Sequence, residues 1–186
     1  MRENPVKDIH INSKTSIQDL ILQFGEAGGF VASKISTATS IMRNMQQENC
    51  TKFLSFPADI MATGTRGLLC QLVENDLVDV IVTTCGTLDH DIARILADYY
   101  HGDFAMDDKQ LRDEGVNRLG NVLVPDDSYG IPIENWMQPI LEDLYNEESR
   151  WVPWKIWYEL GLRLANESNG SESLLAICAK KNIKVF

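Results

Sequence analysis

Val78–Asp91, VDVIVTTCGTLDHD, constrains the fold of this chain more than any other stretch. Its first six residues, Val78 to Thr83, form an apolar, β-branched run, the pattern of a strand buried on both faces of a sheet. The run passes straight into Thr84-Cys85-Gly86-Thr87, small residues that let a backbone turn sharply and a ligand approach closely. Asp89, His90 and Asp91 follow, and then Ile92, Ile95, Leu96 and Tyr99 at helical spacing. Strand, small-residue loop and acidic helix start, in that order, point to a ligand site in an open α/β sheet. Such sites lie beyond the carboxyl ends of the strands.

A second unit of the same kind precedes it. Lys52–Phe56 (KFLSF) reads as a strand stopped by Pro57, and the loop Pro57–Gly64 (PADIMATG) leads into a helix with Leu68, Leu69, Leu72 and Val73 inward. Asn75 and Asp76 close that helix. A right-handed βαβ crossover makes the two strands parallel. If they are neighbours, loops 57–64 and 84–91 sit side by side and form two walls of one pocket.

Residues 1–14 read as an extended arm. Thr15 and Gln18 have capping-box spacing before a short helix with Ile17, Leu20, Ile21 and Phe24 inward, ended by Gly25. The spacing predicts a longer helix from Phe30 to Gln47, with Val31, Ile35, Ala38, Met42 and Met45 on one apolar stripe as core filling. Beyond Tyr100 the pattern is irregular: loop at 101–108, a helical turn at 109–114, a turn and short strand over 116–124, and turn chemistry at 126–130. A helix from Pro132 or Ile133 to Glu147 is expected, kinked or interrupted by Pro139. Trp151, Trp154 and Trp157 have the spacing of residues that pack helices together. A polar linker at 167–173, a helix at 173–181 and a strand at 182–186 complete the chain. Three or four strands make a small sheet with exposed edges, so the polypeptide reads as half of something.

Composition narrows the class. The apolar share of 44% and charged share of 24% are those of an ordinary soluble globular protein, and 186 residues make one domain or one and a half. No window approaches the ~18 consecutive apolar residues of a membrane span, and MRENPVKDIH lacks an apolar signal core. Cys50, Cys70, Cys85 and Cys178 form no CxxC pair, as expected of reduced thiols in the cytoplasm. A net charge of −10 argues against a nucleic-acid partner. It suits a cationic ligand or basic protein, or serves solubility alone.

Asp89, His90 and Asp91 are the sharpest chemical group. Two carboxylates beside an imidazole suit an ammonium or a proton transfer, while helix capping is an equal alternative. Adjacent residues on a helix start point in different directions, so no metal site is expected. Thr84, Cys85 and Gly86 offer backbone N–H groups for a phosphate or ribose, or make a plain tight turn. No His–Asn or His–Asp framework accompanies Cys85 as a nucleophile. Ala62-Thr63-Gly64-Thr65 matches no full phosphate-loop pattern. Asp59 has a choice between a ribose hydroxyl and its own loop backbone.

KFLSFPADIMATGTRG, ENDLVDVIVTTCGTLDHDIARIL and LRDEGVNRLGNVLVPDDSYGIPIENWMQPIL together resemble the amino-terminal half of deoxyhypusine synthase, in a version closer to archaeal than to animal enzymes. The resemblance runs from about Gly25 to Phe186. It implies an α/β, Rossmann-like partial parallel sheet flanked by helices, with residues 1–24 as arm and short helix and 25–186 as half of an NAD-binding domain. It further implies NAD as cofactor, spermidine as aminobutyl donor, a lysine of translation initiation factor 5A as acceptor, a cytoplasmic location and a tetramer. By matching positions the dinucleotide meets Ala58, Asp59, Ile60, Met61 and Ala62 on the first loop, and Thr84, Cys85 and Gly86 on the second, with His90 close by. Asp89 and His90 match an acidic pair that faces the polyamine. Two departures stand out: His90 replaces a carboxylate of animal enzymes, and Asp59 stands where an amide is common. Lys180, Lys181 and Lys184 match no nucleophile context, so no catalytic residue is expected in this chain and the half holding the catalytic lysine is absent. A homospermidine-type aminobutyltransferase and a non-catalytic regulatory partner of a full-length paralogue are the alternatives.

Overall fold

The computed structural model describes residues 3–186, which fall into two compact units parted between Cys50 and Thr51. The expected boundary at 24/25 lies within the first helix. In the first unit α1 (Ile17–Ala27) and α2 (Ala32–Gln47) pack on each other. The capping box is one residue later than its spacing indicated: the Ser16 side chain accepts from the Asp19 N–H, and the Asp19 carboxylate accepts from the Ser16 N–H. Gly25 does not end α1, which runs on until Gly28 adopts the left-handed conformation at φ 65°. Lys7 in the arm is tied to Glu26 by an ion pair and a backbone hydrogen bond. The α2 stripe is not core: Val31, Ile35 and Met42 are exposed, Met42 by 56%.

The second unit begins with β1 (Phe53–Phe56), the one-turn α3 (Asp59–Ala62), α4 (Arg66–Glu74), β2 (Val80–Thr83) and α5 (Cys85–Leu96). Then come β3 (Tyr100–His101), α6 (Asp108–Asp113), β4 (Val116–Leu119) and β5 (Val122–Pro125). A 3₁₀ turn at Asp126–Ser128 precedes α7 (Gly130–Glu147), α8 (Pro153–Leu164), α9 (Leu174–Lys180) and β6 (Lys184–Val185). Strands β1, β2 and β6 form a three-stranded parallel sheet with β2 central, and Leu54 pairs with Ile81 and Ile81 with Val185. The expected βαβ unit is therefore present with its strands adjacent. A separate antiparallel sheet, β3-β5-β4, replaces the loop and single strand expected after Tyr100.

Burial on both faces of β2 does not hold. Ile81 is buried, whereas Val82 on the opposite face is 40% exposed, and Phe53 and Phe186 on the flanking strands are exposed as well. Apolar β-branched composition alone does not tell a two-faced strand from one covered on a single side. The core lies under the covered face. Phe56, Ile81, Ile92, Leu160, Leu164, Leu175 and Val185 belong to one cluster there, against which Trp151 and Trp157 pack. Trp151 donates its indole N–H to the carbonyls of Leu144 and Glu148, pinning the α7–α8 joint. Pro139 sits within α7 without ending it. At the α8–α9 contact, a Cβ on Gly161 would collide with the Leu175 carbonyl.

Candidate functional site

The two predicted loops meet at the carboxyl end of the parallel sheet. The Thr83 hydroxyl, last in β2, donates to the Phe56 carbonyl, last in β1, at 2.7 Å. A Cβ on Gly86 would lie 2.9 Å from the Ala58 Cβ, so the absence of a side chain at 86 sets how closely the segments approach. Neither segment is a free loop, however. Asp59–Ala62 is one helical turn, and α5 opens at Cys85.

Early opening of α5 changes the role of the acidic cluster. Asp89, His90 and Asp91 lie in its second turn and cannot cap their own helix start. Successive residues on a helix point in different directions, and the three side chains separate accordingly. Asp91 is fully buried and caps another helix: its carboxylate accepts from the Ser173 hydroxyl and from the N–H groups of Leu174 and Leu175 at the start of α9. The Arg66 guanidinium stands 3.6 Å from it and pairs with Glu172 at 3.0 Å. Burial nevertheless raises the Asp91 pKa, with those donors opposing the rise. Asp91 therefore belongs to the frame that fixes α5 against α9; it caps α9 and not, as the capping alternative had it, its own helix.

Asp89 and His90 remain half-buried with aromatic neighbours. Tyr129, at the start of α7, donates its hydroxyl to Asp89 Oδ2 at 3.3 Å. Its ring lies 5.3 Å from the His90 ring. Tyr99 sits edge-on to His90, with its hydroxyl 2.8 Å from Nδ1. Desolvation pushes the Asp89 carboxyl above its ordinary range, and the Tyr129 hydrogen bond and the His90 charge work against it. Desolvation likewise lowers the His90 pKa, so the ring is neutral at pH 7. Burial and the Asp89 carboxylate raise the Cys85 pKa, which keeps it a thiol and removes it as a nucleophile.

The remaining sequence-predicted residues divide by access. Asp59, Thr84 and Cys85 are exposed, and Ala58, Ile60 and Gly86 are partly so. Met61 is wholly buried in the core; its N–H bonds the Ala58 carbonyl and its own carbonyl accepts from Arg94. It has no group left to offer a ligand and supports the turn instead. Ala62 is buried and borders a cavity of about 490 Å³ shared with Thr63, Arg94, Tyr99, Asn121 and Glu172. Thr84, Cys85, Gly86, Asp89 and His90 do not line that cavity. Tyr99, Tyr129 and Arg94 escaped sequence reading, because the partners that give them meaning lie 9, 40 and about 30 positions away. Among the described residues no group of three or more metal-ligating side chains converges, and no helix is long and apolar enough to cross a membrane.

A family model for deoxyhypusine synthase matches residues 19–186. Curated relatives described as probable deoxyhypusine synthases include those of Picrophilus torridus, 52% identical over 99% of this chain, and Thermoplasma acidophilum, 50% identical over 98%. The chain spans only 58% and 57% of the length of those two relatives. A crystal structure from Entamoeba histolytica with a similar provisional assignment superposes with a TM-score of 0.63, covering 97% of this chain and 63% of that one. At 21% identity that likeness speaks for the fold. The parallel sheet, the paired rim segments and the match over residues 19–186 together place the chain in the deoxyhypusine synthase family.

Proposed function

We propose that this chain supplies the amino-terminal part of an NAD-dependent deoxyhypusine synthase, which transfers the aminobutyl group of spermidine to a lysine of translation initiation factor 5A. The observation that carries this reading is the shared rim, with Ala58 against Gly86 and the Asp89–Tyr129 pair beside them.

The rim's chemistry fits a dinucleotide. Cys85 and Gly86 open a 12-residue helix whose first N–H groups lack intrahelical acceptors, and the Thr84 side chain caps none of them. Such amides, with the helix dipole behind them, favour a phosphate. Ala58, Ile60, Thr84, Cys85 and Gly86 line the approach, and the exposed Asp59 carboxylate suits a ribose hydroxyl, since it would repel a pyrophosphate. When bound, NAD supplies the hydride acceptor for oxidation of the amine. Asp89, its Oδ2 already held by Tyr129, offers a directed carboxylate for an ammonium group, which must be paired once desolvated.

The aminobutyl-carrying lysine belongs, in this reading, to the portion of the relatives that this chain does not match. The whole enzyme is a cytoplasmic oligomer, a tetramer by family resemblance. The test is to combine this chain with a separately produced copy of that portion from a relative, together with NAD, labelled spermidine and the factor. Label transferred to the factor is expected. A well-folded, associated pair that leaves spermidine intact would contradict the proposal.

A further inference from the structure

A single helical turn makes too few hydrogen bonds of its own to fix the residues it orders. The place of α3, Asp59–Ala62, therefore depends on what grips it. At its start, the Thr83 hydroxyl holds the Phe56 carbonyl, and Gly86 leaves room for the Ala58 Cβ. Within it, the Met61 N–H bonds the Ala58 carbonyl, and the hydroxyls of Thr63 and Thr65 bond the Ile60 carbonyl. At its end, Arg94 Nη1 donates to the carbonyls of Met61 and Thr63, each at 2.8 Å. Carbonyls at the carboxyl end of a helix lack partners of their own and favour a cation.

Arg94 stands at that end against its own preference. Burial and the neighbouring Arg66 guanidinium lower its pKa, and Tyr99, Asp91 and Glu172 offset this only in part. A neutral side chain of like length would escape both penalties, yet it would give the turn no donor. Both hydrogen bonds of Arg94 among the described residues go to this one segment. Helix α5, which carries Arg94 and Asp89, is tied independently to α9 through Asp91. Losing the guanidinium thus frees α3 while Asp89 and Tyr129 keep their places.

We propose that Arg94 is a positioning residue: from the third turn of α5 it fixes the Asp59–Ala62 turn by its carbonyl end, and so sets the affinity for the nucleotide without touching that for the amine. The hold on the turn stands on geometry alone. Its effect on the nucleotide rests on the NAD reading above.

The test compares the whole chain with Arg94→Met, which keeps an apolar stem and removes the donors, and Arg94→Lys, which restores a charged donor. Amide hydrogen exchange is followed at Met61 in α3 and at Ile92 in α5, and NAD⁺ and spermidine are titrated separately. In R94M the Met61 amide should exchange about tenfold faster, as for loss of a hydrogen bond from a charged donor, with Ile92 unchanged. NAD⁺ affinity should fall about tenfold with the fraction of chains holding the turn in place, and spermidine affinity should stay within about twofold. R94K should recover part of both losses. An unchanged Met61 rate, or equal acceleration at Met61 and Ile92, overturns the proposal. So does a faster Met61 with NAD⁺ affinity unchanged, or equal weakening of NAD⁺ and spermidine. Should R94M fail to fold, R94K against the unaltered chain decides: faster exchange at Met61 alone supports the proposal, and a uniform or absent change overturns it. If Met61 responds as stated but the unaltered chain takes up no NAD⁺, the hold of Arg94 on the turn stands and the NAD reading falls.

Discussion

Gly86 and Ala58 lie so close that a Cβ on the glycine would come within 2.9 Å of the alanine Cβ. This contact, from the first turn of α5 to the turn after β1, sets the width of the rim. Gly86→Ala should force the two segments apart, costing about 1–3 kcal/mol as in other overpacked sites and weakening NAD binding. Ala58→Gly in the same chain should recover most of the loss. Urea denaturation and NAD titration of the single and double variants check both parts.

Asp91 joins α5 to α9 through three hydrogen bonds and a buried cation at 3.6 Å. Removing the carboxylate leaves Arg66 enclosed with only the exposed Glu172 beside it, and leaves the α9 start uncapped. Asp91→Ala should therefore cost about 3–5 kcal/mol. Its effect should appear as a lowered urea midpoint without a changed slope. A loss below about 1 kcal/mol would place the bond network outside the stability of the fold.

Gly161 lets α8 pass directly over the backbone of α9, since a Cβ there would meet the Leu175 carbonyl. The obstacle is backbone and cannot rotate away. Gly161→Ala, which in an isolated helix would help by about 1 kcal/mol, should destabilise this protein instead. Thermal unfolding of the variant gives the sign.

Amine binding should depend on pH through two groups that act in one direction. Burial raises Asp89 from 3.8, so its carboxylate forms only above that value, and it lowers His90 from 6.5, so the ring becomes cationic only below that value. An ammonium ligand needs Asp89 ionised and is repelled by a charged His90. Spermidine affinity should thus hold from neutral pH down to about 6.5 and fall between there and 3.8. Asp89→Asn should reduce the affinity about 10- to 100-fold at pH 7, the size of a charge-assisted hydrogen bond. It should also remove the carboxylate part of the pH dependence. Calorimetric titration across the range checks both.

The parallel βαβ unit was legible because β-branched runs, Pro57 and the leucine spacing of α4 each carry local information about the chain direction. Handedness makes the two strands parallel, and their adjacency in the sheet then brings 57–64 and 84–91 together. Asp91 was misread because helix α5 starts at Cys85, four residues before Asp89, and because its true partners lie 82 to 84 positions away. Tyr129 sits in a stretch, Asp126–Gly130, whose composition announces only a turn. The α2 stripe has the periodicity of a buried face, yet Val31, Ile35 and Met42 are exposed. Periodicity reports that a face is apolar and is silent about what covers it.

Amide-shift mapping of this chain with NAD⁺ and with spermidine tests most directly whether the rim holds both. NAD⁺ should move the amides of Ala58, Asp59, Cys85 and Gly86, and spermidine those of Asp89 and Tyr129. Shifts confined to other surfaces, or a rim untouched by either compound, would contradict the account.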